Sequence, residues 1–99
     1  MLTKIPPVHP GDILKENLEE LEISEYRLAK DISVHPKTIN EIVHGKRSVS
    51  ANIALRLGRF FNMDSQFWLN LQSRYDLKIA KDKLSDKLDK EVKPYQKAA

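Results

Sequence analysis

Lys37, Thr38, Asn40, Glu41 and His44 crowd into one short stretch, "SVHPKTINEIVHGKR" (residues 33–47), which offers hydrogen-bond donors and acceptors but no nucleophile with its base. These side-chain types are the ones that read base edges in duplex DNA. Lys37 can donate to guanine O6 and N7, Asn40 can pair bidentately with adenine, Glu41 can accept from cytosine N4, and the Thr38 methyl can meet that of thymine. Lys46 and Arg47 follow at the place where a strand's phosphates would pass, and His44 beside them suits a helix C-terminal cation or a phosphate neighbour. Upstream, Arg27 and Lys30 suit the same backbone, and the amides around Ser24 and Glu25 can take a phosphate oxygen. Such chemistry needs a short helix with one face free. Ile39 and Ile42 must turn inward, which leaves Lys37, Thr38, Asn40, Glu41 and His44 on the outer face. A single helix fits the major groove of B-DNA and reaches base edges with its first turns. On an isolated surface helix the same side chains would simply be solvated, so the reading rests on the elements around them.

Other chemistries are poorly served. His9, His35 and His44 share no metal-ligand spacing and no cysteine joins them, so neither a metal site nor a cofactor is expected. Glu16, Glu19, Glu20 and Glu22 fall on the exposed side of the first helix with no base or nucleophile beside them, and a chain of 99 residues buries little core for a water-excluding cleft. A binding module is expected, not an enzyme. The absence of cysteine suits a reducing cytosol. The N-terminal "MLTKIPPVHPGD" has no apolar signal region, and no stretch approaches the roughly 18 apolar residues of a membrane span. A cytoplasmic protein with no membrane partner is the expectation.

The elements that must position the outer face read as helices only, because apolar residues recur at three and four and never alternate over a strand's length. Helix one covers about residues 10–21, with Pro10 at its first position, Asp12 near the positive end of the dipole, and Leu14, Leu18 and Leu21 on one face. Ser24 caps helix two, which turns Leu28, Ala29 and Ile32 inward. His35-Pro36 repeats His9-Pro10 and opens helix three, which runs to about His44. Ser50 caps helix four, which buries Ile53, Leu57 and Phe60 or Phe61 and ends at Asn62, a residue that tolerates the left-handed conformation. Asp64 caps the longest helix, whose stripe of Phe67 or Trp68, Leu71 and Tyr75 can continue through Leu77, Ala80, Leu84 and Leu88. The architecture expected is an all-α, five-helix domain over residues 1–80, with a dimerising helix at about 64–80. A charged, partly disordered tail over 81–99 completes it.

Charge is segmented along the chain. Residues 1–25 hold two cations against six carboxylates, a net of −4, whereas residues 26–59 hold seven cations against two, a net of +5. Residues 60–77 contribute −1 and the tail +3, so the whole reaches +3. Two oppositely charged regions point to two different partners. In "FWLNLQSRYDL" the apolar residues cover more of the helix than one core contact needs, and Trp68, Leu71 and Tyr75 are assigned to a dimer seam.

The stretch "SEYRLAKDISVHPKTINEIVHGKRSVSANIALRLGRFF" resembles the helix-turn-helix of the phage-repressor-like (XRE) transcription factors, with Ala29, Val34, Ile39 and Ile42 at the family's spacing. With "PPVHPGDILKENLEEL" before it and "FWLNLQSRYDL" after it, the chain looks like the HigA-type antitoxins of bacterial toxin–antitoxin operons. That resemblance implies a homodimer that binds double-stranded operator DNA, represses its own operon and neutralises a RelE-like mRNA-cleaving toxin. It also implies that Glu16, Glu19, Glu20 and Glu22 steer a cationic toxin, with Ile5, Val8 or the helix-five stripe supplying apolar contacts. Two departures stand out. Ser33 occupies the turn position where glycine is usual, and His35 stands where Ser or Thr more often caps, so a strained turn and a weaker cap are expected. The alternatives are a phage-type or host repressor with no toxin partner and a helical adaptor with no DNA role. A small basic reading frame found immediately beside the gene would favour the antitoxin.

Overall fold

The computed structural model describes residues 7–97; Ile5 lies outside the described residues. Among them the chain is all helix and loop, with α1 at Pro10–Leu21, α2 at Glu25–Asp31, α3 at Pro36–Val43, α4 at Ala51–Phe61 and α5 at Gln66–Glu91. The helix starts lie where local chemistry supplies acceptors for amides that the first turn leaves unpaired. Ser24 Oγ accepts from Arg27 N at 3.0 Å, Ser50 Oγ from Ile53 N at 3.2 Å, and Asp64 Oδ1 from Gln66 N at 2.9 Å. The cap expected at Asp64 is displaced by one residue: Ser65 is the N-cap of α5 and its side chain makes no capping bond, while Asp64 serves the first helical amide from just outside. The caps of α1 and α3 are histidines. His9 Nδ1 accepts from Gly11 N at 2.9 Å, and His35 Nδ1 accepts from Lys37 N at 3.0 Å. At His35 an imidazole nitrogen takes the place of the usual hydroxyl as the capping acceptor, and Pro36 presets the first turn.

The core is the sum of the inward stripes. Leu14, Leu28, Ala29, Ile39, Ile42, Ala54, Leu57 and Trp68 are fully buried, with Leu18, Ile32, Val43, Val49 and Ile53 nearly so. Helix α3 packs against both α2 and α1, and α5 packs against both α4 and α1. Two expectations fail here. Leu21, expected inward with Leu14 and Leu18, is 53% exposed, at the border of a groove between α1 and the α4–α5 junction and not in the core. Trp68, assigned to a dimer seam, is wholly buried, packed against Phe61 and Phe67 with ring centroids 5.9 and 5.3 Å away. It has no surface to offer a second protomer. Leu71 and Tyr75 are half-buried.

Gly11 shows how close the packing is. A Cβ there would run into the carbonyl oxygen of Ile42, so the first turn of α1 lies directly against the last turn of α3. At the other end of the molecule, α5 is 26 residues long, about 39 Å at 1.5 Å per residue, and it crosses residue 80 without a break. What changes there is burial: every described residue from Ala80 onward is exposed, and the helix end stretches the molecule to 58 × 32 × 22 Å.

Candidate nucleic-acid interface

Helices α2 and α3 are joined by a turn whose centre, Ser33, has a left-handed backbone with φ 58°. The shape usually supplied by glycine is kept, at a cost of about 1–2 kcal/mol for a residue with a Cβ. Hydrogen bonds hold it: Val34 N donates to Ala29 O at 2.9 Å, and Arg56 Nη1 reaches from α4 to Ile32 O at 2.8 Å. Arg56 also donates through Nε to Asn52 Oδ1 at 2.7 Å. A residue that contributes to the +5 balance is thus a clamp on the turn, which no local signal reveals. Beyond the turn, His35, Pro36 and Lys37 are exposed, so the N-terminal turn of α3 stands clear of the body.

On the outer face of α3, Lys37 and Asn40 are exposed, Thr38 and Glu41 are half-buried, and His44 at the helix end is exposed. Not all of them are free. Asn40 Nδ2 donates to Glu25 Oε1 at 3.1 Å, tying α3 to the start of α2. Arg47 donates to Glu41 Oε1 from Nε at 2.9 Å and from Nη2 at 2.7 Å. That hydrogen bond, the largest influence, holds the Glu41 carboxyl below its ordinary value against desolvation, and the charges of Arg47, Lys37 and Lys46 add to the lowering. Sequence treated Asn40 and Glu41 as open to bases; the fold gives each a partner first, Glu25 and Arg47, because helices only a short loop apart bring those groups together. Thr38 and Lys37 make no side-chain hydrogen bond or ion pair among the described residues.

The phosphate candidates divide in the same way. Arg27 Nε pairs with Asp31 Oδ2 at 2.7 Å one turn along α2, and Arg47 is held by Glu41. Among the described residues no ion pair holds Lys30 or Lys46. His44 Nδ1 donates to Asn40 O at 2.8 Å, which places the ring proton on that nitrogen and satisfies a carbonyl at the end of α3. Ser24 spends its hydroxyl oxygen on the α2 cap, leaving exposed side chain at the helix start. The segment that carries Lys46 and Arg47 is anchored from behind. Gln72, 6% exposed, accepts from Val49 N at 2.8 Å and donates to Asp76 Oδ1 at 3.0 Å. Sequence reasoning missed Gln72, since a lone glutamine on an amphipathic helix carries no mark of what it will face.

The acidic residues Glu16, Glu19 and Glu20 on α1 and Glu22 at its left-handed C-cap are all exposed. Among the described residues no group of three His, Cys, Asp or Glu side chains could hold a metal ion, and no helix is long and apolar enough to cross a membrane.

Known proteins share this arrangement. The family model HTH_3, helix-turn-helix, matches residues 14–68. Over 78 residues the chain is 49% identical to Virulence-associated protein I of Dichelobacter nodosus, a stretch covering 78% of this chain and 72% of that protein. Among solved structures, an addiction module antidote protein of the HigA family from Coxiella burnetii superposes with a TM-score of 0.89 at 44% identity, covering 92% of this chain and 100% of that one. The Pseudomonas aeruginosa antitoxin HigA, solved with the higBA promoter, gives 0.87 at 43% identity over 91% of this chain and 99% of that one.

Proposed function

This chain belongs to the helix-turn-helix family, in the branch that holds the HigA antitoxins, and from that premise we propose that it binds operator DNA as a homodimer, represses its own operon and neutralises a RelE-like mRNA-cleaving toxin. Its relatives are DNA-binding regulators and antitoxins, not enzymes. The observation that carries the reading is the exposed first turn of α3, with Lys37 and Thr38 unpaired, beside cations that no carboxylate holds. Lys37, Thr38, Asn40 and Glu41 are the base-reading set. Ser24, Arg27, Lys30, His44, Lys46 and Arg47 are the phosphate set.

Asn40 and Glu41 enter that role by exchanging partners. When a phosphate oxygen takes the Arg47 guanidinium, the Glu41 carboxylate is released toward a base edge, and because the pair lies at the surface, where an ion pair is worth little, that exchange costs little. The second protomer supplies a second half-site about 34 Å along the duplex, and Leu71 and Tyr75 on α5 are the seam candidates. A toxin that must bind RNA exposes cations, which the α2–α3 face repels and the glutamates of α1 attract. In this reading Glu16, Glu19, Glu20 and Glu22 steer it.

The test is operator binding on DNA from upstream of the gene. Lys37→Ala is expected to lose about 1–3 kcal/mol and relax preference at one base per half-site, whereas Lys46→Ala weakens every sequence alike and lowers the salt slope by about one. Wild-type affinity in both variants would show that α3 does not enter the groove. For the toxin, the purified product of a reading frame beside the gene should bind the chain; a repressor that binds its operator and no such product is the runner-up.

A further inference from the structure

A groove of about 330 Å³ opens between α1 and the α4–α5 junction, lined by the apolar Ile13, Leu21, Phe61, Met63 and Phe67 and by the polar Asn17 and Glu20 of α1. We propose that this groove is the anchoring site for the toxin, and that it takes a cationic segment carrying a large apolar side chain; the proposal rests on the antitoxin reading above. The first support is composition. Leu21 is 53% and Phe67 38% exposed, and unlike Tyr26, Leu55 and Leu77, which are exposed elsewhere, the two border the same depression. Phe61 and Phe67, which line the groove, both pack their rings against the buried Trp68, so its aromatic wall is braced by the core.

Charge then selects the occupant. Glu20 lines the groove, Glu16 lies one turn before it on the same edge of α1, and no lysine or arginine lines it. Nucleic acid is repelled by that edge, and a neutral helix gains nothing from it, whereas an RNA-binding protein brings cations to pair with the glutamates. Position matches as well. Every lining residue comes from α1, the end of α4, the loop after it or the start of α5, and none from α2 or α3. The helix pair assigned to DNA is left uncovered.

Leu21→Lys tests this. Lysine in the last turn of a helix suits the dipole, and Leu21 already lies half in water, so the fold and the operator affinity are expected to hold. Interferometry against the purified product of the reading frame beside the gene is expected to show affinity at least about tenfold weaker, mostly through faster dissociation. Phe67→Ser should act in the same direction. Glu16→Gln with Glu20→Gln should instead slow association at low salt. Equal affinity of wild type and Leu21→Lys would overturn the groove and leave the antitoxin reading standing. A product that binds neither would overturn both. Loss of self-association in Leu21→Lys, seen by sedimentation with toxin affinity retained, would make the groove a contact for a second copy and overturn the proposal.

Discussion

The dipeptide His-Pro opens two helices of this protein, and the fold uses the two copies for opposite ends. His9 and His35 cap through the same atom at nearly the same distance, 2.9 and 3.0 Å, and each is followed by a proline in the first turn. His9, however, is 6% exposed, sets its ring edge-on against Tyr75 at 4.8 Å between centroids, and receives a second capping bond as its own N–H donates to Asp12 Oδ2 at 3.3 Å. His35 is exposed, and among the described residues its ring hydrogen-bonds only within its own helix. One local code therefore makes a joint in one place and a free tip in the other. The joint locks α1 to the end of α3 and to α5, while the free tip lets the first turn of α3 approach another molecule. A DNA-reading helix needs both, rigid at one end and open at the other.

The sharpest way to break the comparison is at Gly11, beside the buried cap. Gly11→Ala drives a methyl into the Ile42 carbonyl, backbone against backbone with no side chain to yield, and is expected to cost about 3 kcal/mol or more. Thermal melts should show a midpoint on the order of 15 °C lower. His9→Ala comes next. It strips the acceptor from a buried amide and the edge contact from Tyr75, for about 2–3 kcal/mol in denaturant titration. His35→Ala, with the same bond lost in water, should cost only about 0.5–1 kcal/mol. Equal costs for the two histidines in parallel titrations would erase the distinction between joint and tip.

The smallest effect is on pH. Burial lowers the His9 pKa from its ordinary 6.5, outweighing the pull of Asp12 and Asp76, and the cap itself needs Nδ1 unprotonated. The unfolded chain then binds the extra proton first, so the stability from neutral His9 is complete above the ordinary value of 6.5 and declines as pH falls through it toward the lowered folded value. His9→Asn keeps a capping oxygen without a titrating ring. Melts at pH near 7.5 and 5.5 should show the gap between wild type and variant narrowing at the lower pH; a constant gap would mean that His9 does not titrate with folding.

Much of this was legible because the signals are local. Pro10, Ser24, Pro36 and Ser50 mark four helix starts, and Asn62, with φ 55°, marks the end of α4, each acting within a few residues of itself. The inward faces of α2 and α3 followed from spacing, and Ile39 and Ile42 are indeed fully buried. The candidate site was legible as a set of residue types but not as a state. Asn40 meets Glu25 fifteen positions away, Arg56 holds Ile32 O across twenty-four, and Gln72 holds Val49 across twenty-three. Such partners follow from how helices pack.

What the sequence by itself determined, then, is the inventory: where α1 to α4 start and stop, which stripe of most helices is apolar, and which region is acidic or basic, because hydrogen-bond caps and helical periodicity act over a turn or two, whereas α5 runs on to Glu91, through the tail expected to be partly disordered. The tertiary structure decided which of two identical His-Pro caps is buried, that Trp68 belongs to the core while Leu21 borders a groove, and that Glu41 arrives already paired with Arg47. Burial is a property of neighbours, and neighbours are assigned only when the helices meet.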